Sequence, residues 1–99
     1  MAPEQASGGS IDPRADFFSL GCVLYDLSTG QRPFDRQNIL STLSALANHT
    51  PEKPVDLWPD CPVGFSELIM QMLEKDPEKR PQDCHEIANR LKQIVESLS

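Results

Sequence analysis

This 99-residue sequence has no surplus of basic residues: nine Lys and Arg stand against fifteen Asp and Glu, a formal net charge of −6. Affinity for a phosphate backbone rests on clustered Lys and Arg, so nucleic acid is not an expected partner. The opening "MAPEQASGGS" lacks both a basic start and an apolar run, unlike a secretory signal. No stretch approaches the ~20 apolar residues of a membrane span. A cytoplasmic location is the expectation, for the chain or for a larger protein of which it is the cytosolic part. Cysteine is sparse, with Cys22, Cys61 and Cys84 odd in number and without CxxC spacing, so neither a disulfide framework nor a zinc knuckle is indicated. Cys84 and His85 are adjacent, yet neighbours on a helix diverge by about 100° and cannot easily share a metal. His49 and His85 lie in polar surroundings without a base–nucleophile arrangement. Strand alternation and internal repeats are absent too.

What is present is helical. "ADFFSLGCVLYDLSTGQRPF", residues 15–34, holds Phe17, Phe18, Tyr25 and Phe34, and its apolar positions cover roughly 220° of a helix surface at 100° per residue. A helix from Asp16 to Thr29, stopped by Gly30, is therefore expected to be buried on several sides. A second helix is expected from Asp35 as N-cap to about Asn48, striped by Ile39, Leu40, Leu43, Leu46 and Ala47. Residues 49–62 contain four prolines and read as an ordered loop with Trp58 as its apolar anchor. A third helix fits Val63–Glu74, closed by Asp76-Pro77, and a fourth fits Gln82 to about Leu98, entered through Pro81. The first fourteen residues carry Pro3, Gly8, Gly9 and Pro13 and read as an irregular surface segment. The fold class is all-α, four helices in one small domain, with one helix too apolar for the other three to cover.

Three blocks of residues add more than periodicity. "MAPEQ" at 1–5, "DFFSLGCVLYDLSTGQRPF" at 16–34 and "MLEKDPEKRPQ" at 72–82 together resemble the C-terminal part of a eukaryotic-type serine/threonine protein kinase domain, in that family's order and spacing. Ala2-Pro3-Glu4 matches the APE motif. Asp16 and Gly21 match the fixed positions of the D-x-W-S-x-G block, with Phe18 where Trp is commoner. Arg80 matches the arginine that pairs with the APE glutamate.

The resemblance implies four things. The whole chain, 1–99, would be a C-terminal fragment of a kinase domain, with 1–15 the end of the activation segment and its loop and 16–98 a helical subdomain. Glu4, Arg80 and Asp16 would be structural residues: Glu4 and Arg80 an ion pair, and Asp16 the aspartate that braces the catalytic-loop backbone, a partner absent here, so that its side chain is expected to cap its own helix or to meet water. The activity of the complete domain would be transfer of the ATP γ-phosphate to protein hydroxyls with Mg, on a protein substrate. The partner of the apolar helix would be the upstream helix of the lobe, in the missing N-terminal part of the domain.

No G-x-G-x-x-G, H-R-D or D-F-G occurs between Met1 and Ser99, so no residue here is assigned to catalysis, cofactor or metal binding. Gly8-Gly9 is only a loop pair, and the "DFF" at 16–18 opens a helix without a following glycine. The chemistry is expected upstream of Met1 and the fragment alone is expected to be inactive. The competing reading is a non-catalytic helical interaction module derived from a kinase lobe, docking through its second helix and the loop after it. Without cover on the Phe17, Leu20 and Leu24 side of the first helix, the chain alone is expected to be loosely packed, dimeric or aggregation-prone.

Overall fold

The computed structural model describes residues 2–6, 13–34 and 38–98. Among these there are only helices and connections: α1 (Pro3–Ala6), α2 (Pro13–Thr29), α3 (Ile39–Asn48), α4 (Pro54–Leu57), α5 (Val63–Met72), a 3₁₀ turn (Pro77–Lys79) and α6 (Cys84–Ser97). The expected four long helices are α2, α3, α5 and α6, and the two short helices are additions. Glycines 8 and 9 lie outside the described residues.

α2 begins three residues before Asp16, because Pro13 is pre-set for the first helical position, where its missing N–H costs nothing. It ends where Gly30 takes φ 74° and its N–H donates to the Asp26 carbonyl. α3 is capped by Asn38, whose Oδ1 accepts from the Ser41 N–H at 2.9 Å. The expected N-cap, Asp35, lies outside the described residues, and the helix starts at Ile39.

The proline-rich stretch does hold one helical turn, since Pro54 stands at the first position of α4. Its anchors are Pro54 and Cys61, which are buried, whereas Trp58 is 37% exposed and does not anchor the loop. α5 stops at Met72, two residues short of the expected end. Asp83 caps α6 by accepting from Glu86 N–H, so that helix begins at Cys84 instead of Gln82.

α2 and α5 pack directly on each other and carry most of the core. One apolar cluster gathers Ala15, Phe18 and Tyr25 of α2 with Phe34, Leu46, Ile69 and Leu73, and Phe18 stacks on Phe34 at 5.4 Å between ring centres. A second cluster of Leu68, Met72 and Ile87 joins α5 to α6 and takes up Phe17 and Leu24 from α2. The two helices approach closely at Gly21, where a Cβ would stand 2.9 Å from Met72 Cβ. Tyr25 donates its hydroxyl to the Glu52 carbonyl at 2.7 Å, tying α2 to the segment before α4.

The remaining face of α2 has no cover. Leu20, Val23 and Leu27 are 41%, 53% and 78% exposed and, with exposed Asp16, follow helical spacing along one row. Phe17 and Leu24 are instead partly covered by α5 and α6, so the open side is rotated from the one expected. The molecule is a slab of 43 × 27 × 16 Å, too thin to enclose α2 on all sides.

Candidate functional site

The most constrained polar centre lies where the N-terminal segment meets the turn between α5 and α6. α5 stops at Met72 and the chain reverses through the 3₁₀ turn, started by Pro77 and capped by Asp76, whose Oδ1 accepts from Glu78 N–H at 3.0 Å. This turn delivers Arg80, followed by buried Pro81, into the interior beneath α1 and the first turn of α2.

The Arg80 side chain is fully buried, which for a permanent cation requires complete pairing. Nη1 and Nη2 meet the two carboxylate oxygens of Glu4 at 2.7 and 2.9 Å, a bidentate fork across 76 positions of sequence. Nη1 also donates to the Arg14 carbonyl, Nη2 to the Lys75 carbonyl and Nε to the Glu74 carbonyl. The five N–H groups of a guanidinium thus have five acceptors. Its flat face lies 4.8 Å from the centre of the Phe18 ring, adding a cation–π contact on a desolvated surface. The Glu4 side chain is 19% exposed, so the pair lies at the edge of the buried interior.

Around this centre the contacts are weaker. Arg14 Nη1 reaches Glu78 and the side-chain oxygen of Gln82, both at 3.1 Å, but Glu78 is largely solvated and such pairs contribute little. Gln82 donates to the Arg80 carbonyl at 2.6 Å, and Glu86 accepts from Gln82 N–H, fixing the entry to α6.

Of the two places expected for the Asp16 side chain, a cap of its own helix or water, the structure shows the second: α2 starts at Pro13, and Asp16 lies exposed inside the first turn. There its charge only complements the helix dipole. Lys75 was not legible as anything but a surface cation. Its Nζ stands 4.1 Å over the Phe34 ring and donates to the Ala45 carbonyl at 3.4 Å, holding the end of α3 against the core. Burial lowers its pKa, with Cys22 opposing the shift and Arg80 adding to it. No residue-type spacing in a single sequence announces such a contact.

His49 sits edge-on to Phe34, and His85 is exposed on α6. Among the described residues no three His, Cys, Asp or Glu side chains gather where a metal could bind, and no helix is long and apolar enough to cross a membrane. With every donor of its guanidinium taken by a protein acceptor, the Arg80 centre is chemically a joint.

Sequence comparison matches the protein kinase domain to residues 1–94. The chain belongs to the protein kinase family. It is 34% identical over 94 residues to a probable serine/threonine-protein kinase of Clostridium acetobutylicum, covering 95% of this chain and 14% of that protein. It is 39% identical over 95 residues to a tyrosine-protein kinase of Myxococcus xanthus, covering 96% of this chain and 15% of that protein. Among solved structures, the twitchin kinase region from C. elegans superposes with a TM-score of 0.77 at 25% identity, over 92% of this chain and 15% of that one. The segment thus spans about one seventh of the curated relatives it matches. It is a fragment of a protein kinase domain that matches the C-terminal portion of bacterial serine/threonine kinases and of the twitchin kinase structure.

Proposed function

We propose that this kinase segment is the helical base of an enzyme that transfers the ATP γ-phosphate to protein serine or threonine hydroxyls. Residues 1–15 would end the activation segment and 16–98 form the helical subdomain beneath it. The segment itself supplies no catalytic group. Its part is to hold the end of the activation segment in place, and the observation that carries this reading is the bidentate Glu4–Arg80 joint with every guanidinium donor used. A loop that must present a protein substrate gains from a fixed end, because misplacement by about 1 Å costs on the order of 10²-fold in rate.

Two measurements test the proposal. Titrating ATP–Mg into the 99 residues alone is expected to give no binding tighter than about a millimolar, since the phosphate loop, strand lysine and magnesium ligands of kinases are not among them. Tighter binding, or phosphate incorporation above a buffer control, overturns the division of labour. Acid hydrolysis of protein phosphorylated by the full natural polypeptide is expected to release phosphoserine or phosphothreonine. Release of phosphotyrosine alone overturns the acceptor assignment.

A further inference from the structure

Lys75, which holds the end of α3 against the core, is short of negative charge. Its ammonium is half-buried, and its two contacts, a long hydrogen bond of 3.4 Å to the Ala45 carbonyl and the face of the Phe34 ring, bring no anion. It makes no ion pair among the described residues. An ammonium has three donors, and one is used. A partly desolvated cation in this state is stabilised by an anion that comes within reach. Lys75 lines a small cavity of about 120 Å³ together with Thr50, Met70, Leu73 and Glu74. Glu74 is exposed at its rim and does not pair with Lys75.

Thr50, on the same cavity, is exposed, and its hydroxyl makes no hydrogen bond among the described residues. Residues 49–53 carry no helix, and the backbone is extended at His49 and again at Lys53. The other exposed hydroxyls among the described residues, Ser41, Ser44 and Ser97, all stand inside α3 or α6. Side chains on a helix lie back over the preceding turn, whereas an extended segment offers its hydroxyl to the in-line approach that phosphoryl transfer requires. We propose that Thr50 is a phosphoacceptor and that Lys75 holds the phosphate once it is in place. This rests on the proposed phosphate transfer, because the donor is ATP–Mg bound to a second copy of the full kinase. The Thr50 oxygen bonds to the γ-phosphorus, the bond from that phosphorus to the β–γ bridging oxygen breaks, ADP leaves with the magnesium, and the hydroxyl proton passes to the general base of the second copy. The product sets nearly two negative charges opposite Lys75, and short bonds to phosphate oxygens replace the long one to Ala45. The other charged or titratable groups around it are His49, Glu52 and Lys53 on its own segment and Glu74 across the cavity. The two glutamates repel the phosphate, Lys53 is exposed and screened, and His49 is turned edge-on to Phe34, so retention depends on Lys75.

Tandem mass spectrometry of the full natural polypeptide, incubated with ATP–Mg and an added acceptor protein, tests the first half. Phosphate is expected on Thr50 and not on Ser41, Ser44 or Ser97. Phosphate on the acceptor protein with none on Thr50, or equal occupancy of all four hydroxyls, overturns the proposal and leaves the transfer activity standing; phosphate on neither protein overturns both. The second half is read by phosphorus NMR, with the Thr50 signal identified by its loss in Thr50→Val. In the folded polypeptide the phosphate is expected to complete its ionisation about one pH unit lower than in the phosphopeptide excised around Thr50. That difference should shrink by at least about half in Lys75→Met and persist in Lys53→Met. Equal ionisation in the folded chain and the peptide, a comparison that needs no lysine variant, overturns the role of Lys75. So does an equal loss in the two lysine variants, which would mean that positive charge at large, and not the cavity, holds the phosphate.

Discussion

Arg80 shows how one residue carries a disproportionate share of a small structure. Its guanidinium is buried, so removing its partner or replacing it leaves polar groups stranded with neither water nor a replacement bond. Arg80→Met is expected to cost roughly 3–5 kcal/mol, read from denaturant unfolding of the natural polypeptide, whereas Arg14→Met should cost less than about 1 kcal/mol. Equal costs would place the two arginines in equivalent surroundings, contrary to their burial. Arg80→Lys should not rescue, since an ammonium cannot form the planar fork. Tyr25 offers a pH test. Burial, with the Glu52 charge second, raises its pKa above 10.0, so the folded state holds the phenolic proton longer than the unfolded state does. The stabilisation is complete below that pH and is lost as pH rises through the folded pKa. Wild type is therefore expected to lose stability faster than Tyr25→Phe on going above pH 10, when melting is followed across alkaline buffers; parallel curves would contradict it.

At the scale of the helices, Gly21 records how closely α2 and α5 approach. A methyl group there meets Met72 Cβ, which is bound to the backbone and cannot swing away, so Gly21→Ala is expected to destabilise by about 1–3 kcal/mol despite alanine's better helix propensity. A stabilised variant in thermal melts would show that the helices yield. Asn38→Ala should cost about 1 kcal/mol through loss of the α3 cap. The four long helices were legible in the sequence because Phe65, Leu68, Ile69 and Met72, or Ile87, Leu91 and Ile94, repeat at helical spacing. Their starts were less so. Asp16 and Asp35 both have the chemistry of a cap, and so do their neighbours; Pro13 and Asn38 took the starts of α2 and α3 for local geometric reasons that composition does not rank. The turn at Pro54 was hidden because four prolines read as helix-breaking, although a proline at the first position opens a helix. The Glu4–Arg80 contact was legible only through resemblance, since nothing local links positions 76 apart. Lys75 was invisible because its acceptor and its ring come from other elements.

For the molecule as a whole, the decisive quantity is the row of Leu20, Val23 and Leu27 left open on the central helix. Rows of this kind on a thin slab draw copies together, each large side chain forfeiting up to about 1.5–3 kcal/mol while exposed. The 99 residues alone are expected to sediment as oligomers and to bind an apolar-surface dye, and Leu20→Glu/Leu27→Glu should return them to monomers without loss of helicity. A dye-silent monomer in the unsubstituted chain would mean that the row is not sticky enough to matter.

The fork between Glu4 and Arg80 also bears on the order of events during folding. It closes a loop of 76 positions, and the entropy of closing such a loop exceeds that of one half as long by only about 0.6 kcal/mol, yet it must be met before the contact returns anything. The helix pair α5–α6, close in sequence, can assemble first; the N-terminal segment then seats on a turn already formed. The joint should accordingly be absent from the rate-limiting ensemble, so that weakening it hastens unfolding while the refolding rate stays nearly constant. The segment that arrives last is then the first to leave, and the lifetime of its seating is set by the rate at which that single fork opens.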